Sequence, residues 1–346
     1  MKISPIVAFV AITLLQISCR EKDVDLVFNQ FPKTINISGK PIGIKEIMRG
    51  GFPTYLDSLI ILRAIKESGN VLYIYNRNSF DLIAKSIYIG RGPKEITLPG
   101  LISVDKENRL ILCQDVMKRD LWKFRIDSIL INPDYFPEEK SKLPNILSPF
   151  QIDPVNDSLF SIIDNNPLHL ISFCNSNGEI IDTVPNILNI YNPKDLSREL
   201  LTLSAYYCYE KHPKSNRYAI VHHTSDIIAV IDSKGNLIRK IIGPSTTHQV
   251  PEYGSNQIKT NLTTDADEKL FYCSYLNKPR RNDEDPLSLI YPVEINVFDW
   301  DGNPRAKLVL DTSISSFAVD YENDEILAFS ADSSDLIIFR TKLSDL

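Results

Sequence analysis

Leu101–Asp115 reads LISVDKENRLILCQD: an apolar strand, a polar turn carrying Asn108, and a second apolar strand. The second half recurs along the chain. RLILCQ from Arg109 is matched by VLYIYN from Val71, SLFSII from Ser158, NRYAIV from Asn216, KLFYCS from Lys269 and EILAFS from Glu325. The third residue of each copy is Tyr73, Ile111, Phe160, Tyr218, Phe271 or Leu327, and the fifth is Tyr75, Cys113, Ile162, Ile220, Cys273 or Phe329. Residues two apart share one face of a strand, so these pairs mark a core-facing stripe. The residue before each copy is Asn70, Asn108, Asp157, Ser215, Glu268 or Asp324, mostly types that bond their own backbone in turns.

Successive copies begin 38 to 58 residues apart. A period near fifty built from short strands is that of a β-propeller blade, about four antiparallel strands with their turns. Helical solenoids are excluded because the units lack apolar residues at a spacing of three and four. The expected fold is therefore all-β, a β-propeller over residues 24–346 whose six anchors suggest six blades, with the uneven spacing leaving five or seven open. Residues Val24–Ile37 alternate enough to form one or two strands, whereas the last unit, Phe317–Lys342, holds only about three. The N-terminal strand is expected to pair with that last unit and close the ring, leaving no open edge.

A second landmark is shared by SFCNSNGEIIDTV from Ser172, VIDSKGNLIRKI from Val230 and VFDWDGNPRAKLVL from Val297. Asp or Asn precedes Gly178, Gly235 or Gly302 by three residues between two apolar runs, which reads as outer hairpins turning through a glycine with positive φ.

The chain has 346 residues, 43% of them hydrophobic, enough for a large single domain. Its net charge of −6 argues against nucleic acid and against polyanionic partners generally. At the start, Lys2 precedes an apolar run from Ile6 to Ile17, signal-peptide length and too short to span a membrane. The run ends Leu15-Gln16-Ile17-Ser18-Cys19. A small residue directly before a cysteine is similar to the lipobox of bacterial lipoproteins. Residues 1–19 are thus read as a lipoprotein signal peptide with Cys19 the lipidated residue, and 20–23 as a charged tether. Gln16 departs from that pattern, and an ordinary signal peptide cut nearby is the plainer alternative. Of the remaining thiols, Cys113 and Cys273 fill the same apolar strand position. Buried free thiols are expected at Cys113, Cys174, Cys208 and Cys273, with a disulfide to Cys208 as the alternative.

After the first unit comes Ile89-Gly90-Arg91-Gly92-Pro93-Lys94-Glu95. Here the chain resembles the TolB-like six-bladed β-propeller lipoproteins of Gram-negative bacteria, whose members carry Gly-x-Gly-Pro-Gly-Glu between blades. Gly90, Gly92, Pro93 and Glu95 match, and Lys94 stands where the family has glycine. The resemblance implies an exported, lipid-anchored envelope protein, with the outer membrane as its site, and assigns no ligand. The residues themselves read as a sharp inter-blade turn. No Lys-Ser/Thr follows to make a phosphate loop.

Function is expected in the insertions. In Asp182–Glu210, Asn192-Pro193-Lys194-Asp195 is an N-cap with proline at the first helical position, predicting a short helix over Leu196–Leu203. Asn277–Pro292 carries Arg280 and Arg281, then Asp283, Glu284 and Asp285; a solvated loop is the plain reading and a calcium site the sharper one. His222-His223 point to opposite faces of a strand, so both cannot bind one metal; one could line the channel, and a satisfied or exposed histidine is the plainer reading. Tyr191, Tyr206, Tyr207, Tyr209 and Tyr253 could give contact area near the channel mouth or simply pack it. No catalytic triad, nucleophile elbow or zinc spacing is present. No catalytic, cofactor or metal residue is assigned. The leading expectation is a non-enzymatic module binding a small molecule, glycan, peptide or envelope protein. The alternative is a lactonase-like or lyase-like enzyme, which would show Asp, Glu, Asn and His from different blades meeting at the channel.

Overall fold

The computed structural model describes residues 24–46, 48, 50–66, 68–145, 151–163, 166–188, 206–245, 258–281, 288–333 and 335–346. The strands form six sheets, which are the six blades of a propeller. Blade 1 holds Gly51–Leu56, Leu59–Ala64, Gly69–Asn76 and Leu82–Ile89. Blade 2 runs from Pro99–Asp105 to Lys140–Lys142, blade 3 from Gln151–Asn156 to Ile180–Pro185, and blade 4 from Tyr207–Lys211 to Leu237–Ile242. Blade 5 runs from Ile258–Ala266 to Pro304–Leu310, and blade 6 contains Ile314–Asp320, Glu325–Ser330 and Leu336–Arg340.

The core is divided into six apolar clusters, one at each blade interface. Ile61 and Ile74 of blade 1 meet Ile111, Cys113 and Phe124 of blade 2. Leu112 and Leu121 on the other face of blade 2 meet Phe160 and Ile162 of blade 3. The pattern continues around the ring to the seam, where Leu327 and Phe329 of blade 6 pack on Tyr55, Ile60, Leu62 and Tyr73 of blade 1. Each blade is thus covered on both faces, so its middle strands are buried, and mostly apolar, at successive rather than alternate positions.

That double burial accounts for two differences from the repeat read in the sequence. VLYIYN falls on the third strand of blade 1, Gly69–Asn76, while the strand equivalent to RLILCQ is Leu59–Ala64. The short first interval disappears once Ser58 replaces Val71 as the anchor. In blade 6 the alignment is one residue out. Third and fifth positions face the preceding blade in blades 2 to 5, but Leu327 and Phe329 face the following one, and Ala328 takes the preceding side. A slip of one residue exchanges the faces. Where both faces are apolar, the pattern does not register the slip.

The N-terminal segment closes the ring through a strand later than expected. Gly39–Ile42 pairs antiparallel with Leu336–Phe339 and is the fourth strand of blade 6. Asp25–Val27 instead runs parallel to Lys240–Ile242 outside blade 4, and Thr34–Ile37 parallel to Lys307–Leu310 outside blade 5. The expected pairing of Val24–Ile37 with the last unit is therefore corrected. Every outer strand offers the same open row of amides and carbonyls, so alternation marks an edge strand without naming its edge. Phe28 and Phe31 fasten this band by packing edge-on against Phe298, with centroids 5.8 and 5.5 Å away. At the seam, Arg77 of blade 1 pairs with Asp320 of blade 6.

The outer hairpins are as read: Gly178, Gly235 and Gly302 have φ near +80°. Each amide closes the turn on Asn175, Asp232 or Asp299 at about 3 Å. One helix was not anticipated. Ile126–Ile131 (α1) lies in the outer connection of blade 2 and sends Ile126 and Ile129 into the interface with blade 1. Its residues Ile126, Ile129 and Leu130 carry the helical spacing, within a run too short to stand out.

Two truncations separate the band from the closing strand. A chain starting at Ser38 keeps blade 6 whole and should remain folded with a lowered melting temperature. A chain starting at Gly43 lacks the closing strand and should lose its cooperative transition by circular dichroism. Phe28→Ala should cost about 3 kcal/mol in urea denaturation.

Candidate functional site

The first strand of each blade lies innermost, and neighbouring first strands line up around a central channel of about 900 Å³. Side chains from all six blades reach it, among them Thr54, Ser103, Asp153, Glu210, Thr264 and Ser316. Because the six strands are equivalent members of one ring, they run the same way along its axis. Their starts form one mouth of the channel and their ends the other.

The mouth at the strand starts is basic. Lys259 opens the inner strand of blade 5, Arg280 follows that blade's second strand, and Arg63 pairs in register with Phe52 of blade 1. Arg63 lays its guanidinium on the Phe52 ring at 3.9 Å, Arg280 lies 5.1 Å from the Tyr291 centroid, and Lys259 Nζ is 5.5 Å from that of Tyr206. Among the described residues, no carboxylate forms an ion pair with any of the three. Burial pushes the Arg63 pKa down to about 10. Burial and the adjacent Arg280 charge push Lys259 down to about 8. His223 is buried here, with Nδ1 2.5 Å from the Asn261 carbonyl oxygen. Burial lowers it to about 4, with Lys259 and Arg280 adding to the effect. It is neutral at physiological pH.

From mid-channel to the other mouth the lining is acidic. Asp105, Asp153, Glu210 and Asp265 come from blades 2, 3, 4 and 5. Asp105 accepts from the backbone and side-chain amides of Asn108 at 3.0 and 2.9 Å, which explains the Asn in the quoted turn. Gln151 Nε2 donates to Asp153 at 2.9 Å, Thr264 Oγ1 to Glu210 at 2.6 Å, and the Val319 amide to Asp265 at 2.6 Å. Burial raises Asp153 and Asp265. Glu210 is raised from 4.5 to about 8, by burial first and then by the charge of Asp265. Lys106 and Lys211 stand at this end and temper the repulsion. Asp265 lies six residues beyond Lys259 on one strand, roughly 20 Å at the rise of an extended chain.

The other predicted residues are distributed as follows. Gly90, Gly92, Pro93 and Glu95 sit in the connection between blades 1 and 2. The Gly92 amide donates to Glu95 Oε2 at 2.6 Å, and a Cβ on Gly90 would fall 1.9 Å from that same oxygen. Glycine is required there because the carboxylate occupies the side-chain space. The four cysteines are free and buried. His223 lines the channel, and His222 is packed with Nδ1 3.0 Å from Ser225 Oγ. Tyr206 lines the mouth, while Tyr207 and Tyr209 are buried between blades 3 and 4. Cys19, Tyr191, Tyr253, the helix predicted over Leu196–Leu203 and the acidic run Asp283–Asp285 lie outside the described residues. Among the described residues, no three of His, Cys, Asp and Glu are grouped closely enough to hold a metal ion.

Sequence reasoning named Arg280 but passed over Arg63, Lys259, Asp153, Glu210 and Asp265. For Lys259, Asp153, Glu210 and Asp265 the available signal was a charged residue inside the first strand of a unit, where neither neighbouring blade would accept it; Arg63 sits on a second strand and carried no such signal.

The chain belongs to the TolB-like 6-blade propeller-like family, whose model matches residues 54–322. Among solved structures it is similar to a Bacteroides fragilis NCTC 9343 protein described as a "putative exported protein". Identity there is 12%, coverage 91% of this chain and 98% of the other, and the TM-score 0.58. A DUF4221 family member from Bacteroides vulgatus ATCC 8482 aligns at 11% identity over 88% and 95% of the two chains, with a TM-score of 0.57. At such identities the likeness shows the fold. No curated protein matches the sequence.

The raised pKa of Glu210 has a consequence for stability. With a folded-state value of about 8 against an ordinary 4.5, folding takes up a proton between the two. The associated stability is fully present below about pH 4.5 and is lost as pH rises through about 8. Glu210→Gln should flatten the decline in unfolding free energy from mildly acidic to mildly alkaline pH, measured by urea denaturation. An unchanged decline would place the titration on other groups.

Proposed function

We propose that this chain is an exported, lipid-anchored propeller that binds a small ligand in its central channel without transforming it. The observation that carries the reading is the channel itself, a preformed cavity of about 900 Å³ with charged and aromatic side chains from separate blades turned into it. That size suits a small molecule, a short glycan or a few residues of peptide. Export is supported by the lipobox-like Ser18-Cys19 and by the neighbour described as exported. The N-terminal band docks on the outer edges of blades 4 and 5, so a tether would leave from the rim and keep the channel clear of the anchor.

One observation favours a second reading as an enzyme. Glu210 holds its proton near neutral pH beside Asp265, the pairing expected of a general acid and its partner. Glu210→Gln would then abolish turnover while retaining ligand affinity, whereas a binding protein would show no turnover to lose.

Two experiments test the binding reading. Leu262 lines the channel, and Leu262→Trp fills part of it. A ligand found by thermal shift against glycan and peptide panels should stabilise the native protein and fail to stabilise this variant; equal stabilisation of both would move the site elsewhere. For the anchor, metabolic labelling with radioactive palmitate should mark the wild type and not Cys19→Ala. Labelling of both, or of neither, would remove the lipid anchor from the proposal.

A further inference from the structure

The cations at the basic mouth are arranged against ordinary electrostatic economy. The chain carries 44 acidic against 38 basic residues, and several cations elsewhere are matched. Arg109 pairs with Asp57 and Asp127, and Lys140 and Lys142 share Asp120. In blade 5, by contrast, Lys259 and Arg280 are carried half-buried by paired strands, close enough for the Arg280 charge to lower the Lys259 pKa, with no acidic partner among the described residues. Arg280 Nε is shielded from solvent and meets no acceptor. Two like charges drawn out of water, with a guanidinium N–H unsatisfied, form an unfavourable arrangement that an anion between them would relieve.

From this geometry, and resting on the channel-binding reading above, we infer that Lys259 and Arg280 form an anion site taking the carboxylate, sulfate or phosphate group of the channel ligand. Arg280 offers a planar fork of donors suited to an oxyanion, and Lys259 a mobile point charge. Neutral His223 lies in the same wall and adds hydrogen-bonding capacity without further charge. Tyr206 borders Lys259 and also lines the channel, giving an aromatic surface beside the site for the uncharged body of the ligand. At the far mouth each lysine stands beside acidic side chains, so the ligand's charged group is held at the strand starts, where the cations have no such partners. An acidic sugar meets these demands together: one carboxylate, a ring to lie against tyrosine, and dimensions within the channel.

The test is isothermal titration of the mature protein with three probes: inorganic phosphate, inorganic sulfate and glucuronate, with glucose as the uncharged control. Glucuronate should bind one equivalent and glucose should not. Lys259→Met and Arg280→Gln should each weaken glucuronate about tenfold or more, the loss of one charge-assisted hydrogen bond. Arg109→Gln, on the outer surface, should leave binding unchanged. Phosphate or sulfate binding tighter than glucuronate, with the same dependence on Lys259 and Arg280, keeps the anion site and replaces the sugar acid by a free or esterified oxyanion. Failure of all probes at tens of millimolar, or binding indifferent to both substitutions, overturns the inference. A readout independent of the ligand accompanies these: in anion-free buffer Lys259→Met should melt above the wild type, because the repulsion is gone. A ligand blocked by Leu262→Trp but untouched by Lys259→Met would leave the channel reading standing and dismiss the anion site alone.

Discussion

Closure of the ring is the constraint on which the rest of the structure depends. Each blade presents two apolar faces, and a row of six left open would expose one at either end. The seam between blades 6 and 1 covers both, with Leu327 and Phe329 packed on Tyr55, Ile60, Leu62 and Tyr73. The fourth strand of blade 6 comes from Gly39–Ile42, at the other end of the described chain from Leu336–Phe339. The two ends are therefore held together by a ladder of backbone hydrogen bonds, and the whole ring gains cooperativity from a four-residue strand. Arg77 with Asp320, and Ser316 Oγ with the Gly51 carbonyl, add polar ties across the same seam.

The channel is a by-product of that closure. Side chains of the middle strands mostly face a neighbouring blade, Arg63 at the channel mouth being an exception, whereas those of the inner strands can turn toward the axis, where no blade stands. Charge is tolerated there because the space is open to water at the mouths. The sorting of charge along the axis is what makes the channel a site. Arg63, Lys259 and Arg280 gather at the strand starts, and Asp105, Glu210 and Asp265 toward the strand ends. Both sets are strained by burial, since Lys259 is pulled down and Glu210 pushed up in pKa. A ligand with an anionic end and a neutral body would ease the first set and avoid the second.

The fold was legible because a strand buried on both faces must be apolar throughout, and six such strands at blade-length spacing admit few architectures. The same property hid the register: Leu327 and Ala328 are both buried, so nothing in their type says which blade each meets. The hairpin glycines were legible for a local reason, the positive φ at Gly178, Gly235 and Gly302. The channel site was hardly legible. Lys259 and Arg280 meet through the first hairpin of blade 5, while Glu210 reaches the opposite end of the channel from blade 4, and only the closed ring puts them on one axis. Each alone reads as an ordinary charged residue near a strand end.

By itself, then, the sequence determined what short-range chemistry controls: runs of apolar strand, turn residues, the sharp glycine turn between blades, thiols typed for burial, and a repeat of blade length. Tertiary structure alone decided which edge each N-terminal strand joins, which blade each side chain faces, and which charges share the channel. Local propensity acts over a few residues and is written in their types. Pairing between equivalent edges and the meeting of distant charges depend on the closed ring, whose geometry belongs to the six blades together.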